Sequence, residues 1–296
     1  MPASDIRLVV VADLHLNHRK SRPAAERQAR DVAAAGGDVL LMLGDAATWD
    51  GETLDECLGL FDGFAGPKLF VPGNHDLWTL DPANDAIALL TRRLPERVTA
   101  AGWHYLQGAP FRADDVAIVG NLGWYDFGFR VETLGIPMAF YSAGVTPGYV
   151  IARESPVELI EAATACPQAG RDVFGRWNDM RHVRADHAAI FEHCLADLDR
   201  DLRAVAEAKC VVVATHTVPV AGLLPPRRMP QLDFVRAYLG SPALGDRILA
   251  APNVRHVLCG HSHFPATCQL GAVHCTNVGS SYREKHTIQI TLQHSC

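Results

Sequence analysis

Short apolar runs alternate with amphipathic stretches in the N-terminal part of the chain. Runs rich in Val, Leu and Ile that are bounded by turn residues predict buried strands, and apolar residues at helical spacing predict helices. The predicted elements are strands at 6–11, 39–43 and 68–71 and helices at 22–35 and 53–64. Because strands and helices alternate, we predict a parallel sheet with helices on its faces.

The rest of the chain divides into an irregular middle and a regular end. Residues 124–180 are rich in Gly, Pro and aromatic residues and have weak periodicity, which predicts an irregular insertion or cap. The other predicted elements are helices at 82–94 and 183–208, strands at 104–106, 116–119, 209–214 and 254–258, and two or three antiparallel strands in 266–292. We therefore predict one domain over residues 1–296, with an insertion or cap at about 124–180.

Polar clusters follow five of the predicted strands. The clusters are Asp13-Leu14-His15, Gly44-Asp45, Gly73-Asn74-His75-Asp76, Thr215-His216 and Gly260-His261-Ser262-His263. Each cluster taken alone fits a polar turn or a helix cap. In open α/β sheets, however, ligands bind outside the carboxyl ends of the strands, so we expect the five clusters to meet in one pocket.

The side chains in these clusters are of types that bind metals. Carboxylate, imidazole and amide groups suit divalent or trivalent Mn, Fe, Zn or Co, and Cys259 beside the last cluster reads as strand core. One carboxylate can bridge two ions, and two ions about 3.5–4 Å apart can clamp a phosphoryl group and lower the pKa of a shared water. The resulting hydroxide would attack phosphorus in line with the leaving oxygen.

Composition and charge narrow the class of ligand and the location. The chain of 296 residues is 48% hydrophobic and 20% charged, which is ordinary for a soluble globular protein. Its net charge of −6 shows no basic excess, which favours a small anionic ligand over long nucleic acid. We find no signal peptide, no apolar run long enough for a membrane span and no CxxC pair, so we predict a cytoplasmic protein with reduced thiols.

The ordered motifs resemble those of the calcineurin-like metallophosphoesterase superfamily. That family has D-x-H, G-D, G-N-H-(D/E), H and G-H-x-H in the order found here between residues 13 and 263. The resemblance implies a four-layer α/β/β/α sandwich with two mixed β-sheets and a metal-dependent phosphoric ester hydrolase, either a phosphatase or a phosphodiesterase. The motif set is specific for the family and does not specify the substrate.

The resemblance also implies a role for each motif residue. One metal would be held by Asp13, His15, Asp45 and His263, and the other by Asp45, Asn74, His216 and His261. Asp45 would bridge the two ions. By the same resemblance His75 would face the substrate phosphate, as a general acid or as a stabiliser of developing charge, and Asp76 would orient His75.

The aromatic loop at the start of the predicted insertion has two interpretations. In the functional one, Trp124 and Tyr125 stack on a base or an aromatic leaving group while Arg130 meets the phosphate, so all three bind substrate. In the structural one, which is the more common arrangement, the aromatic side chains pack the loop against the sandwich. Residues 177–179 (Trp-Asn-Asp) are a weaker candidate for completing such a cap near the metals.

Three hypotheses about function follow. The first is hydrolysis of a small phosphomono- or phosphodiester, such as a nucleotide or a cyclic nucleotide. The second is a protein Ser/Thr phosphatase or a nuclease, although the net charge of −6 argues against long nucleic acid and nothing marks a peptide groove. The third is a non-catalytic metal-binding scaffold, against which the presence of every expected ligand and of His75 argues. The substrate, the native metal pair and the oligomeric state stay open.

Overall fold

The computed structural model describes residues 5–153, 157–227 and 229–293. Within them, strands and helices alternate along most of the chain. The strands are β1 Ile6–Val11, β2 Val39–Leu43, β3 Lys68–Val71, β4 His104–Tyr105, β5 Phe111–Ala113, β6 Val116–Asn121, β7 Cys210–Thr215, β8 Val254–Cys259, β9 Ala266–Leu270, β10 Val273–Asn277 and β11 Ile288–Leu292.

The helices lie mainly in the connections between strands. They are α1 Arg22–Ala35, α2 Thr53–Gly59, α3 Ala86–Ala88, α4 Leu94–Ala100, α5 Met138–Ala143, α6 Pro147–Ala152, α7 Val157–Ala165, α8 Gln168–Arg171, α9 Asp179–His182, α10 His187–Ala204, α11 Pro230–Val235 and α12 Pro242–Leu249. A π-helical turn at Leu89–Arg93 joins α3 to α4. Short 3₁₀ helices occur at His75–Leu77, Glu132–Leu134, Ala221–Leu223 and Arg236–Tyr238.

The strands form two mixed sheets. The first has the order β11-β1-β2-β3-β4, in which β1 to β4 are parallel and β11 is antiparallel to β1. The second has the order β5-β6-β7-β8-β10-β9, in which the four inner strands are parallel and both outer pairs are antiparallel. The carboxyl ends of β1, β2 and β3 therefore share one edge, and those of β6, β7 and β8 share another.

Alternating side chains of each strand face opposite layers, which is why the strands read as continuous apolar runs. Leu8 and Val10 of β1 pack with Val212 of β7 in a cluster between the two sheets. Val9 and Val11 of β1 join a second cluster with residues of α1 and α2. A third cluster joins the outer face of the second sheet to α10 and α12. These layers confirm the predicted α/β fold with two packed mixed sheets.

The predicted bounds hold where a strand is buried on both faces or a helix has a strong stop. They fail where a side chain further along the chain caps the helix and makes it begin later than predicted. The helix predicted at 82–94 begins instead at Ala86, because the Asp85 carboxylate accepts a hydrogen bond from the amide of Ala88. The helix predicted from residue 183 begins at His187, because Asp186 caps the amide of Ala188 in the same way.

The segment predicted as an irregular insertion carries several short helices, α5 to α8, in its described part. Its aromatic side chains, including Trp124 and Phe140, join the cluster on the outer face of the first sheet. The segment is therefore packed against the sandwich. No described helix combines the length and the apolar character needed to cross a lipid bilayer.

Candidate metal centre

Backbone hydrogen bonds join the loops that leave neighbouring strands. The amide of Asp13 donates to the carbonyl of Gly44 at 3.1 Å, and the amide of His15 donates to the carbonyl of Asp45 at 2.8 Å. On the second sheet the amide of Gly260 donates to the carbonyl of His216 at 3.0 Å. These bonds bring the polar clusters of different strands to one site between the two sheets.

Five of the predicted ligands have left-handed backbone conformations. The φ angles are 55° for Asp13, 44° for His15, 54° for Asp45, 66° for His261 and 54° for His263. Such a conformation costs about 1–3 kcal/mol for a residue other than glycine, and it persists where the surrounding structure determines it. The strained residues are concentrated at this site. Their backbone conformations hold the side chains in fixed directions at a cost in local stability.

The first group of candidate ligands consists of Asp13, His15 and His263. The Nε2 atoms of His15 and His263 lie 3.1 Å apart, and His263 Nε2 lies 3.7 Å from Asp13 Oδ1. Burial raises the pKa of Asp13 to about 7 and lowers the pKa of His263 to about 4. Both pKa shifts arise because burial makes the charged form of each side chain less favourable. A bound cation would reduce this free-energy cost for the carboxylate.

The second group consists of Asp45, His216 and His261, with Asn74 beside them. His216 Nε2 lies 2.9 Å from Asn74 Oδ1 and 3.3 Å from Asp45 Oδ1. Burial alone would lower the pKa of His216, but the charge and hydrogen bond of Asp45 raise it to about 9. Positive charge at this point is therefore strongly favoured.

Carbonyl groups outside the site fix which nitrogen of two histidines faces inward. His216 Nδ1 donates to the carbonyl of Leu43 at 2.8 Å, and His261 Nε2 donates to the carbonyl of Tyr238 at 3.2 Å. Because a carbonyl only accepts, each of these nitrogens carries a proton, which leaves the other nitrogen of each ring to face the site. Both imidazoles are thereby oriented as metal ligands usually are.

Asp45 lies between the two groups. Its Oδ2 is 3.5 Å from His15 Nε2, while its Oδ1 is 3.3 Å from His216 Nε2. Burial would raise the pKa of Asp45, but the surrounding histidines, His216 first, lower it well below its usual value. The carboxylate is thus ionised and placed to contact an ion in either group.

The residues present fit two hard or borderline cations. Carboxylate oxygen, amide oxygen and imidazole nitrogen are the donors, and this set suits Mn, Fe, Zn or Co. Asn74 Oδ1 and His216 Nε2 face each other at 2.9 Å, an arrangement that a proton or a cation between or beside them stabilises. The structure thus brings together all seven residues predicted as ligands: Asp13, His15, Asp45, Asn74, His216, His261 and His263.

His75 lies at the edge of the two groups. Its Nε2 is 4.0 Å from Asp45 Oδ2, and its ring stacks on Trp78 with centroids 3.6 Å apart. Burial lowers its pKa. Its side chain is 14% exposed, so it faces the outside of the site while its ring plane is fixed by Trp78.

The hydrogen bonds of Asp76 point to a role other than the predicted one of orienting His75. The Asp76 carboxylate instead accepts hydrogen bonds from three backbone amides, those of Gly73 at 2.8 Å, Asp45 at 2.9 Å and Ala47 at 3.2 Å. A carboxylate needs several donors when it is fully buried, and the turn amides supply them. Asp76 therefore holds the loops after β2 and β3 together, and stacking on Trp78 orients His75.

Of the two interpretations of the aromatic loop, the structure favours packing against the sandwich over substrate binding by Trp124, Tyr125 and Arg130. Trp124 is fully buried and Tyr125 nearly so, and both join the hydrophobic cluster beside the first sheet. Arg130 is at the surface, where it forms an ion pair with Glu132 at 3.2 Å. The gain from burying two large aromatic side chains explains why the loop packs inward.

A cavity of about 320 Å³ opens over the candidate metal centre. It is lined by Asp45, Asn74, His75, Trp78, Arg176, Trp177, Asn178, Val235, Leu239, His261, Ser262, His263 and Tyr282. The sequence prediction missed Trp78, Arg176 and Tyr282. Trp78 follows the third motif closely and could have been found by that proximity, whereas Arg176 and Tyr282 lie in segments without a motif.

A larger open groove, of about 850 Å³, lies elsewhere and shares none of these residues. Its charged side chains are paired with one another, since Arg200 lies 2.7 Å from Asp197 and His193 lies 3.2 Å from the same carboxylate. Its charged groups therefore do not point together at one place, as the candidate metal ligands do.

Solved structures share this fold at low sequence identity. The phosphopantetheinyl hydrolase from Mycobacterium tuberculosis is 21% identical, with a TM-score of 0.63 over 94% of this chain and 90% of that chain. A dimetal phosphatase from Danio rerio is 13% identical, with a TM-score of 0.52 over 99% of this chain and 94% of that one. TT1561 from Thermus thermophilus is 12% identical, with a TM-score of 0.51 over 96% and 98%. At these identities the likeness shows the fold alone.

A match to a family model assigns the chain to a family, which the likeness of folds does not. No curated protein sequence matches the chain significantly. The model described as calcineurin-like phosphoesterase matches residues 6–265, which is most of the chain and includes all five motifs. The chain therefore belongs to the calcineurin-like phosphoesterase family and is a metal-dependent hydrolase of phosphoesters.

Proposed function

We propose that the protein hydrolyses a small phosphomono- or phosphodiester with the help of two metal ions. The observation that carries the proposal is that Asp45 lies between two ligand groups, 3.5 Å from His15 of one and 3.3 Å from His216 of the other, beneath a cavity of about 320 Å³. A volume of this size lies at the small end of the range for ligand pockets. A nucleotide or a cyclic nucleotide matches it in charge and in size.

The two ions would share one carboxylate. Asp13, His15, Asp45 and His263 would hold one ion, and Asp45, Asn74, His216 and His261 would hold the other. Mn, Fe, Zn or Co bound there would polarise the phosphoryl oxygens and lower the pKa of a water. The carbonyls of Leu43 and Tyr238 keep two of the imidazole ligands aimed inward.

His75 is the residue we assign to the substrate phosphate. Its ring nitrogen lies at the mouth of the site, 4.0 Å from Asp45, and its backbone amide donates to Asp45 Oδ1 at 2.8 Å. From this position its N–H can donate to a phosphoryl oxygen, either transferring a proton to the leaving group or stabilising developing charge. Asp76 contributes indirectly, by fixing the backbone on both sides of Asp45.

Two features of the cavity support a small anionic substrate. Arg176 lines the cavity with an exposed side chain, which places a guanidinium where it can meet a second anionic group of the substrate. Trp177, Val235 and Leu239 give the same cavity an apolar wall. A polymeric nucleic acid would need a basic surface, whereas this chain has a net charge of −6.

Turnover by metal-reconstituted protein tests the proposal. We expect Mn²⁺-loaded protein to hydrolyse bis-(p-nitrophenyl) phosphate, p-nitrophenyl phosphate or both, and a chelator to abolish the activity. A panel of nucleotides, cyclic nucleotides and phosphorylated metabolites then identifies the substrate class. A phosphopantetheinyl ester belongs in the panel because a structurally similar hydrolase is named for that group.

The same assay separates the alternatives. Preference for a phosphoserine peptide or an oligonucleotide over every small ester would favour a protein phosphatase or a nuclease. Absence of turnover with Mn, Fe, Zn and Co, each bound at two ions per chain, would overturn the proposal and favour a non-catalytic metal-binding scaffold.

A further inference from the structure

Asp179 is a fully buried carboxylate at the start of α9, at the end of the predicted insertion. It accepts three hydrogen bonds from side chains of other segments or of its own loop. Asn74 Nδ2 donates at 2.8 Å, Trp78 Nε1 at 2.6 Å and Trp177 Nε1 at 2.8 Å. One side chain thus touches a candidate metal ligand and two tryptophans that line the cavity.

The bond to Asn74 determines which atom of its amide faces the metal centre. Asp179 Oδ1 accepts the hydrogen bond, so it is the amide nitrogen of Asn74 that points to Asp179. The amide oxygen is then directed to the opposite side, where it lies 2.9 Å from His216 Nε2. Since only the oxygen of an amide side chain can bind the ion, this orientation is the one that metal binding requires.

The hydrogen bonds from Trp78 and Trp177 to Asp179 also fix the positions of two side chains in the cavity wall. Trp78 is stacked between His75 at 3.6 Å and His182 at 4.8 Å, so holding its indole also holds the His75 ring. Trp177 stacks on Tyr238 at 4.9 Å. A single carboxylate therefore connects Asn74, the stack that contains His75 and the wall formed by Trp177.

We propose that Asp179 is a positioning residue that directs the Asn74 oxygen toward one metal ion and fixes the indole on which His75 stacks. The inference rests on the function proposed above and deepens it. It assigns a task to the inserted segment, which supplies a buried anchor for the metal centre.

Metal titration of Asp179→Asn is the first test. The variant keeps the shape of the side chain but removes its charge and allows the Asn74 amide to reverse. We expect the affinity for the ion on the Asn74 side to fall about 10- to 100-fold, as is typical when an outer partner of a ligand is lost. The affinity for the ion on the Asp13 side should change much less. Stepwise calorimetric titration with Mn²⁺ resolves the two events.

Asp201→Asn is the matched control. Asp201 is also a buried aspartate with a hydrogen bond from a backbone amide, that of Gly108 at 2.8 Å, but it lies on α10 beside the remote groove. We expect this variant to bind both ions as the wild type does. Asp179→Glu keeps the charge and displaces it, so it supplies the same titration if Asp179→Asn does not fold, with a smaller loss expected.

A spectroscopic readout separates positioning from general stabilisation. The chain has five tryptophans, and ¹⁵N-labelled protein gives one indole N–H signal for each. We expect Asp179→Asn to shift the signals of Trp78 and Trp177, identified from Trp78→Phe and Trp177→Phe, in metal-free protein. The signal of Trp103, whose indole donates to the carbonyl of Leu58, should stay in place. Zn²⁺ should move the Trp78 signal in the wild type, because the ion and Trp78 are joined through Asn74 and Asp179.

The outcomes distinguish this inference from the function on which it rests. A wild-type protein that hydrolyses phosphoesters, with an Asp179→Asn variant that binds both ions unchanged and retains all indole signals, would overturn the inference alone. A wild-type protein that binds no ion pair would overturn both. Weakened binding of one ion together with shifts confined to Trp78 and Trp177 would support the role of Asp179.

Discussion

At the scale of single residues, Asp45 is the side chain on which both ligand groups depend. Its two oxygens face different histidines at 3.3 and 3.5 Å, and its backbone amide is held by Asp76. A carboxylate in this position can bind one ion through each oxygen. The corresponding amide has only one oxygen that can act as a ligand.

Asp45→Asn should therefore weaken the binding of both ions and abolish turnover, whereas a change at a ligand of one ion should weaken mainly that ion. Elemental analysis of the purified variant after equilibration with Mn²⁺ measures this. His216→Asn provides the comparison. Two ions retained at full occupancy in Asp45→Asn would refute the bridging role.

His75 is the second residue whose substitution tests the site. His75→Ala should keep both metals but lose rate by about 10²- to 10⁴-fold, the usual contribution of a positioned proton donor. The loss should be larger for esters with poor leaving groups, because they need proton transfer most. Turnover of a series of substituted phenyl phosphates gives the comparison. Equal losses across the series would contradict proton donation and leave charge stabilisation as the role of His75.

The candidate ligands could be found in the sequence because each follows a strong strand and belongs to a local motif. Asp76 could not be assigned correctly, since three backbone amides from two loops compete for its oxygens. Tyr282 approaches the site from a segment far away in sequence, and no local pattern marks it. Asp179 belongs to residues 177–179, for which the sequence indicated only a weak role in a cap and no contact with Asn74. The role of Trp124 stayed open, because an aromatic residue in a Gly-rich loop is compatible with either burial or ligand binding.

At the scale of elements, the site depends on how closely two loops approach each other. Gly73, at the end of β3, lies against the turn after β2. A Cβ atom on Gly73 would be 2.3 Å from both the amide nitrogen and Oδ1 of Asp45. No side chain fits there without moving the Asp45 carboxylate.

Gly73→Ala should therefore displace Asp45, reduce metal binding and lower the free energy of unfolding by about 1–3 kcal/mol, as overpacking typically does. Metal titration and urea denaturation measure the two effects. Gly59→Ala is the control, because a Cβ there would meet only Asp62 Oδ2 at 3.8 Å. Similar behaviour of the two variants would show that the close approach has no role in forming the site.

The elements themselves were predictable to different degrees. β1, β2, β3 and α1 have the predicted bounds, because a strand buried on both faces or a helix ended by Gly-Gly leaves a strong local pattern. The short helices in the segment predicted as an insertion were not themselves predicted. Helices of this length are marginal alone and form here because tertiary packing stabilises them.

At the scale of the whole molecule, the candidate metal centre lies where two sheets present the carboxyl ends of their parallel strands. The first sheet supplies Asp13, His15, Asp45 and Asn74, and the second supplies His216, His261 and His263. Each half alone contains an incomplete ligand set. The hydrophobic cluster between the two sheets therefore matters for function, because it fixes the distance between the two halves of the site.

Anomalous diffraction from crystals grown with Mn²⁺ tests this account most directly. The account predicts two peaks about 3.5–4 Å apart, both within bonding distance of Asp45. One peak should contact Asp13, His15 and His263, and the other Asn74, His216 and His261. A single peak, or two peaks that do not share Asp45, would contradict it.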